Sequence, residues 1–188
     1  MSMMRFNGQR VMSMSGRKLK STIGCLFIIC VISGVNFTAN AQSDPLLNQP
    51  RPDFSLPDLD GKLRSASEWD GKLLVINFWA SWCEPCLREM PAFTRLQDHY
   101  EDQGVQFIGV AVDNANAVRT FLNDFEPRIN YPILLGDENT FATPVAYGNQ
   151  YGILPHTVIV DKTGKIAYTH FGSLTYEQGR LLLMGMLL

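Results

Sequence analysis

One stretch restricts this chain more than any other. An apolar run, Leu73-Leu74-Val75-Ile76-Asn77-Phe78-Trp79-Ala80, leads into Trp82-Cys83-Glu84-Pro85-Cys86, and a helical periodicity takes over directly after it. With Asn77 its only polar residue, the run reads as a central strand buried on both faces. Leu87, Met90, Phe93, Leu96 and Tyr100 then recur at three- and four-residue steps, the pattern of a helix with one buried stripe. Two cysteines therefore stand at a strand-to-helix corner.

That corner carries chemistry because unpaired N–H groups and the helix dipole favour negative charge there. A thiolate at Cys83 forms more readily than that of a free cysteine, whose pKa is about 8.5. Cys83 is thus the expected nucleophile. Cys86 lies on the same side of the first turn, near the separation of about 5.5 Å between Cα atoms that a disulfide prefers, and is the expected resolving thiol. Pro85 is tolerated in a first turn that has no partner for the missing N–H, and it stiffens the loop between the sulfurs. Glu84 adds negative charge that opposes the anion, so both residues between the cysteines are expected to tune the pair. A passive staple is a poor reason for this spacing, because so short a loop restricts the unfolded chain little.

The 188 residues hold one domain of ordinary size and an appendage. Residues 1–20 contain Arg5, Arg10, Arg17, Lys18 and Lys20 with no acid, and an apolar run from Ile23 to Phe37 follows. Ala39-Asn40-Ala41 supplies the small residues that a signal peptidase reads, so residues 1–41 are expected to be a signal peptide cut before Gln42, with an uncleaved membrane anchor as the alternative. Cys25 and Cys30 are then small hydrophobes of that segment, and Cys83 and Cys86 are the cysteines that remain. Once the five cations of the signal are set aside, eleven of the sixteen Lys and Arg face all eighteen Asp and Glu. A balance of −7 argues against nucleic acid or an anionic lipid surface as partner.

Residues 42–51 hold two prolines and little periodicity and read as a flexible lead, with the domain spanning 52–188. Phe54-Ser55-Leu56 and Leu63-Arg64-Ser65 flank the turn signal Asp58-Leu59-Asp60-Gly61, which predicts an N-terminal β-hairpin, and Ser67-Glu68-Trp69 adds a helical turn. Val105 to Val112 is a second buried strand, and Ala115, Val118, Phe121, Leu122 and Phe125 mark an amphipathic helix. Alternating strand and helix is the grammar of a parallel sheet with covered faces. Ile133-Leu134-Leu135 is a short strand, Thr157–Val160 and Ile166–Thr169 form a hairpin, and Leu181 to Leu188 close the chain as a helix too short to span a membrane.

Phe78-Trp79-Ala80-Ser81-Trp82-Cys83-Glu84-Pro85-Cys86, then Glu89-Met90-Pro91, and later Gly152-Ile153-Leu154-Pro155-His156-Thr157 ahead of a hairpin, resemble the thioredoxin superfamily. Within it the chain is similar to exported, TlpA-like thiol-disulfide oxidoreductases of the ResA and DsbE type, over roughly residues 52–188. The resemblance implies a thioredoxin-like α/β fold with a mixed central sheet flanked by helices. It also implies a reversible Cys83–Cys86 disulfide as the redox centre without further cofactor, and reduction of periplasmic client proteins. Pro155 corresponds to the family's cis-proline, beside which Leu154 and Trp82 are expected to contact a client. Pro91 corresponds to a proline that kinks the active-site helix. The resemblance assigns proton transfer to Glu89, one turn after Cys86, where partial desolvation raises a carboxyl's pKa; the acid that thioredoxins carry six residues before the first cysteine is Asn77 here. Two departures stand out: Asn149-Gln150-Tyr151 lengthen the loop before the proline, and His156 replaces a frequent threonine. His156 is expected to be a partly exposed loop residue.

Rival chemistries fit less well. A zinc site lacks ligands, since His99, His156 and His170 show no ligand spacing and His99 would lie about 24 Å down the helix; no metal is expected. Peroxiredoxins share the opening Pro52-Asp53-Phe54-Ser55-Leu56, but Ile76 and Ala80 occupy the places of the proline and threonine that precede a peroxidatic cysteine. A dithiol oxidase of exported proteins and a non-catalytic binding module remain alternatives to the reductase. A periplasmic reductase, acting as a monomer, needs disulfide-containing clients, with apocytochromes c as one such class, and a membrane thiol donor to recharge it.

Overall fold

Seven consecutive residues with one polar side chain among them suit a strand that neighbours cover on both sides. In the computed structural model, which describes residues 44–136 and 142–188, Leu73–Trp79 (β3) is the middle strand of five and every residue in it is buried. Val105–Ala111 (β4) pairs parallel to it, Leu73 opposite Val105 and Trp79 opposite Ala111, and Ile133–Leu135 (β5) continues the parallel half. His156–Val160 (β6) and Ile166–Phe171 (β7) complete the other half as an antiparallel hairpin, giving the order β5-β4-β3-β6-β7. The mixed sheet is the one expected. Ser55–Pro57 (β1) and Leu63–Ser65 (β2) form the separate hairpin ahead of it; Gly61 at φ 82° takes a conformation that a side chain would strain, and Asp58 Oδ1 accepts from the N–H of Asp60 and of Lys62 across the turn.

Glu84–Tyr100 (α1), Ala115–Asp124 (α2) and Tyr176–Leu187 (α4) supply one cover, and the short Ala142–Ala146 (α3), which the periodicity did not predict, lies between β5 and β6. The alternation of β3 sorts the core into two halves. Leu73, Val75 and Trp79 pack with Phe93 and Leu96 of α1 and Leu183 of α4. Leu74, Ile76 and Phe78 pack with Phe54, Trp69 and Tyr147, so the segment ahead of the sheet covers its second face. Each such apolar side chain stabilises the fold by about 1.5–3 kcal/mol when fully buried.

Two local differences have identifiable causes. α4 begins at Tyr176, five residues before the apolar run, because Thr175 and Gln178 form a reciprocal capping box that satisfies the first turn's N–H groups. Residues 48–51, read as part of a lead without structure, carry a short ladder: Asn48 N–H donates to Ile166 C=O at 2.8 Å, Ile166 N–H to Gln49 C=O at 2.9 Å and Arg51 N–H to Gly164 C=O at 2.9 Å. The hairpin of β6 and β7 offers unpaired backbone groups there, and a chain needs no apolar period to use them. The expected signal segment lies outside the described residues. Among the described residues no helix is long and apolar enough to cross a membrane.

Candidate active site

The corner between β3 and α1 is where the sequence places it. Cys83 is the N-cap of α1, and Cys83 and Cys86 form a disulfide with Cα atoms 5.3 Å apart. Cys83 Sγ accepts a hydrogen bond from Cys86 N–H at 3.3 Å, so the first turn of the helix already directs a donor at the sulfur that would carry charge on reduction. Cys83 is 5% exposed and Cys86 is fully covered. Of the two cysteines, Cys83 is the more accessible. Pro85 sits in the first turn, and the exposed Glu84 is paired with Arg88 at 3.3 Å.

The loop before the cysteines is fixed by a residue that the motif does not reveal. Asp113, just past the end of β4, accepts from Ser81 N–H at 3.0 Å and from Ser81 Oγ at 2.5 Å, while its other oxygen accepts from Asn114 N–H at 2.8 Å. The segment after β4 is thus tied to the segment after β3, two residues before Cys83. A run of small and polar residues after a strand gave no signal for this contact.

Glu89 stands one turn after Cys86 and is 2% exposed. Asn77 Nδ2 donates to its Oε1 at 2.8 Å and Leu174 N–H donates to its Oε2 at 2.8 Å. Burial raises its pKa to about 7, against the lowering effect of the Leu174 and Asn77 hydrogen bonds. A carboxyl at that value exchanges protons near neutral pH. Asn77 also donates to Thr157 Oγ1 at 3.1 Å, which ties Glu89, β3 and β6 into one buried network. The lone polar residue of the central strand therefore has a specific partner on the helix, a pairing that sequence spacing alone did not announce.

The Leu154–Pro155 peptide is cis, as is Glu126–Pro127. Trp82, next to Cys83, is 67% exposed, and Tyr151 and Ile153, just ahead of Pro155 in the chain, are 85% and 46% exposed. The extra residues before Pro155 are a built loop, since the buried Asn149 donates from Nδ2 to Ile153 C=O at 2.7 Å and accepts from Ile153 N–H at 2.9 Å. His156 differs from expectation. It is fully buried, because its side chain points to the face opposite Thr157 and lies between Phe78 and Phe171, with ring centroids 5.5 and 4.3 Å away and nearly parallel planes. A strand residue flanked by two apolar neighbours in register takes the core whatever its polarity.

Among the described residues no group of three or more His, Cys, Asp or Glu is placed to hold a metal ion. Ile76 and Ala80, where peroxidase chemistry would need proline and threonine, are buried apolar residues.

Comparison with known proteins agrees with this geometry. The family model for the AhpC/TSA family matches residues 47–169. Thiol-disulfide oxidoreductase ResA of Geobacillus thermodenitrificans is 36% identical over 127 residues, covering 67% of this chain and 70% of the relative. ResA of Bacillus thuringiensis is 31% identical over 160 residues, covering 81% and 89%. Among solved structures, a Chlorobium tepidum protein assigned as thiol:disulfide interchange protein DsbE superposes with a TM-score of 0.66 at 26% identity, over 75% of this chain and 97% of the other. With a redox-spaced cysteine pair on a thioredoxin-like scaffold, a family match over residues 47–169 and relatives named as thiol-disulfide oxidoreductases, the chain belongs to the AhpC/TSA family as a thioredoxin-like thiol-disulfide oxidoreductase similar to ResA.

Proposed function

We propose that this oxidoreductase works outside the cytoplasm and reduces disulfides of exported client proteins, with apocytochromes c awaiting haem as one client class. Residues 1–41 act as the export signal or as an anchor, and a membrane thiol donor recharges the pair. The observation that carries thiol exchange is the buried Glu89 one turn from Cys86, held by Asn77 and Leu174 and titrating near neutrality, and the reducing direction rests on the resemblance to ResA-type proteins.

In the reduced protein the Cys83 thiolate attacks one sulfur of a client disulfide. A mixed disulfide forms, and the departing client sulfur takes up a proton from solvent. Cys86 must then lose its proton to attack Cys83 Sγ, and the Glu89 carboxylate receives it. The Cys83–Cys86 disulfide closes as the client's second sulfur leaves as a thiolate and takes up a proton from solvent, to which Glu89 releases the one it received. The client has gained two electrons and two protons, which the donor dithiol restores to the pair. Exposed Trp82, with Leu154 and the cis Pro155, forms the surface on which an extended client segment rests.

The midpoint potential of Cys83–Cys86, titrated against a defined thiol buffer, tests this reading. A reductase gives a value below about −200 mV, whereas one near −120 mV assigns the protein to the dithiol oxidases.

A further inference from the structure

The segment ahead of Pro155 leaves apolar side chains in solvent while its backbone is held in place. Residues 142–155 contain no Asp, Glu, Lys or Arg. Within them the buried Asn149 closes the turn 149–153 through its two hydrogen bonds with the Ile153 backbone, and its own N–H donates to Pro144 C=O at 2.9 Å. Gly148 and Gly152, at φ 89° and 64°, flank that turn in a conformation that a side chain would strain. Tyr151 is presented at its tip, 85% exposed, with the half-exposed Ile153 behind it. One exposed aromatic is ordinary on a protein surface, but this one has exposed apolar company. Val145 and Phe171, 45% and 44% exposed, line one open cleft with Gly148 and Gln150, so the end of β7 stands beside the turn. Asp44, the charged residue of that cleft, is already engaged by Leu46 N–H and the Thr169 hydroxyl.

This apolar surface continues into the thiol site. His156 pairs with Phe78, which brings Pro155 to the end of the sheet where β3 runs on towards Cys83. Gly172 N–H donates to Pro155 C=O at 2.9 Å, and the next residue, Ser173, donates its hydroxyl to Pro85 C=O at 3.0 Å. The end of β7 thus links the proline to the turn between the cysteines. Tyr151 precedes Pro155 by four residues, at most about 14 Å of chain, and about four residues of an extended client cover the same span. A client cysteine at Cys83 therefore brings its near neighbours within reach of the Tyr151 turn. An uncharged surface there rewards the burial of apolar area, and a fixed turn gives up little conformational freedom to provide it.

We propose that Tyr151, with Ile153 and Phe171, makes this oxidoreductase select client disulfides whose cysteine has an aromatic or large aliphatic residue within about four positions. The inference rests on the reading of the Pro155 side as the client surface.

Disulfide-linked dimers of two synthetic peptides provide the test, the peptides being identical except for Phe or Ser at the third residue on either side of a single cysteine. The reduced full-length protein passes two electrons and two protons to each dimer, its own disulfide closes and two peptide thiols are released. An excess of dimer draws this exchange forward whichever direction the pair serves. The Phe peptide should react about tenfold faster than the Ser peptide, through a lower KM. Tyr151→Ser should reduce that preference to about twofold, and Tyr151→Phe should keep it. With 2-hydroxyethyl disulfide, which has no flanking residues, all three proteins should react at one rate. Equal rates for the two peptides with the parent chain, an undiminished preference in Tyr151→Ser, or a matching loss of rate in Tyr151→Ser towards 2-hydroxyethyl disulfide would each overturn the proposal. An oxidase-like midpoint potential would end the reductase reading and leave the peptide preference standing, whereas equal peptide rates end the preference and leave the potential untouched.

Discussion

Asn77, on the central strand, donates a 2.8 Å hydrogen bond to Glu89 on the active-site helix, and this contact from the sheet favours the charged form of a carboxyl that burial holds towards the neutral one. The bond stabilises the carboxylate and so restrains a pKa that burial pushes upward to about 7. Asn77→Ala removes the donor and leaves the anion less favoured, so the pH–rate profile of thiol exchange should move to higher pH by about one unit. Glu89→Gln should slow turnover by about 10- to 100-fold and erase the same limb of the profile. A profile that Glu89→Gln leaves in place would remove Glu89 from the proton path.

Two buried groups give opposite pH dependences of stability. Glu89 has a folded pKa raised from 4.5 to about 7, so the stability it contributes is complete below 4.5 and is lost as pH rises through 7. His156 is lowered from 6.5 to about 4, so its contribution is complete above 6.5 and is lost as pH falls through 4. Each shift corresponds to about 3 kcal/mol, and between pH 4.5 and 6.5 the two slopes cancel. Relative to the parent, Glu89→Gln should lose stability on acidification across this window, and His156→Phe should lose it on raising the pH. Denaturant melts of the oxidised protein at several pH values measure both.

The difference in burial of the two sulfurs predicts an asymmetric trap. Cys86→Ser retains the attacking thiol and lacks the resolving one, so a mixed disulfide with a model client should accumulate and be visible as a mass shift or a non-reducing gel band. Cys83→Ser should form none, because Cys86 is fully covered. Equal trapping by both variants would contradict the assignment of Cys83 as nucleophile.

Asp113 predicts a cost without a change in the reacting groups. Asp113→Ala leaves Ser81 N–H and Oγ without their acceptor, which should destabilise the fold by about 1–3 kcal/mol in urea. Thiol exchange should slow as well, because the loop before Cys83 is then less fixed.

Much of this was readable from one dimension because periodicity and backbone chemistry are local. The buried strand 73–79, the helix stripe after it, the hairpin around Asp58–Gly61 and the late hairpin followed from apolar period and turn residues alone. The helix that starts at Tyr176 was missed over its first turn because its cap, not its apolar face, sets its origin. His156 was misread because a histidine beside a proline carries no mark of burial; the Phe78 and Phe171 side chains that enclose it come from strands 78 and 15 residues away in the chain.

The sequence by itself determined that two thiols stand at a helix mouth behind a buried strand, since spacing and helix electrostatics require nothing from distant residues. Tertiary structure alone decided which groups surround them: Asn77 and Leu174 on Glu89, Asp113 on Ser81, and the aromatic enclosure of His156. Hydrogen bonds and desolvation act over a few ångströms in space, and the residues that meet at those distances are brought together by strand register and helix packing rather than by their order in the chain.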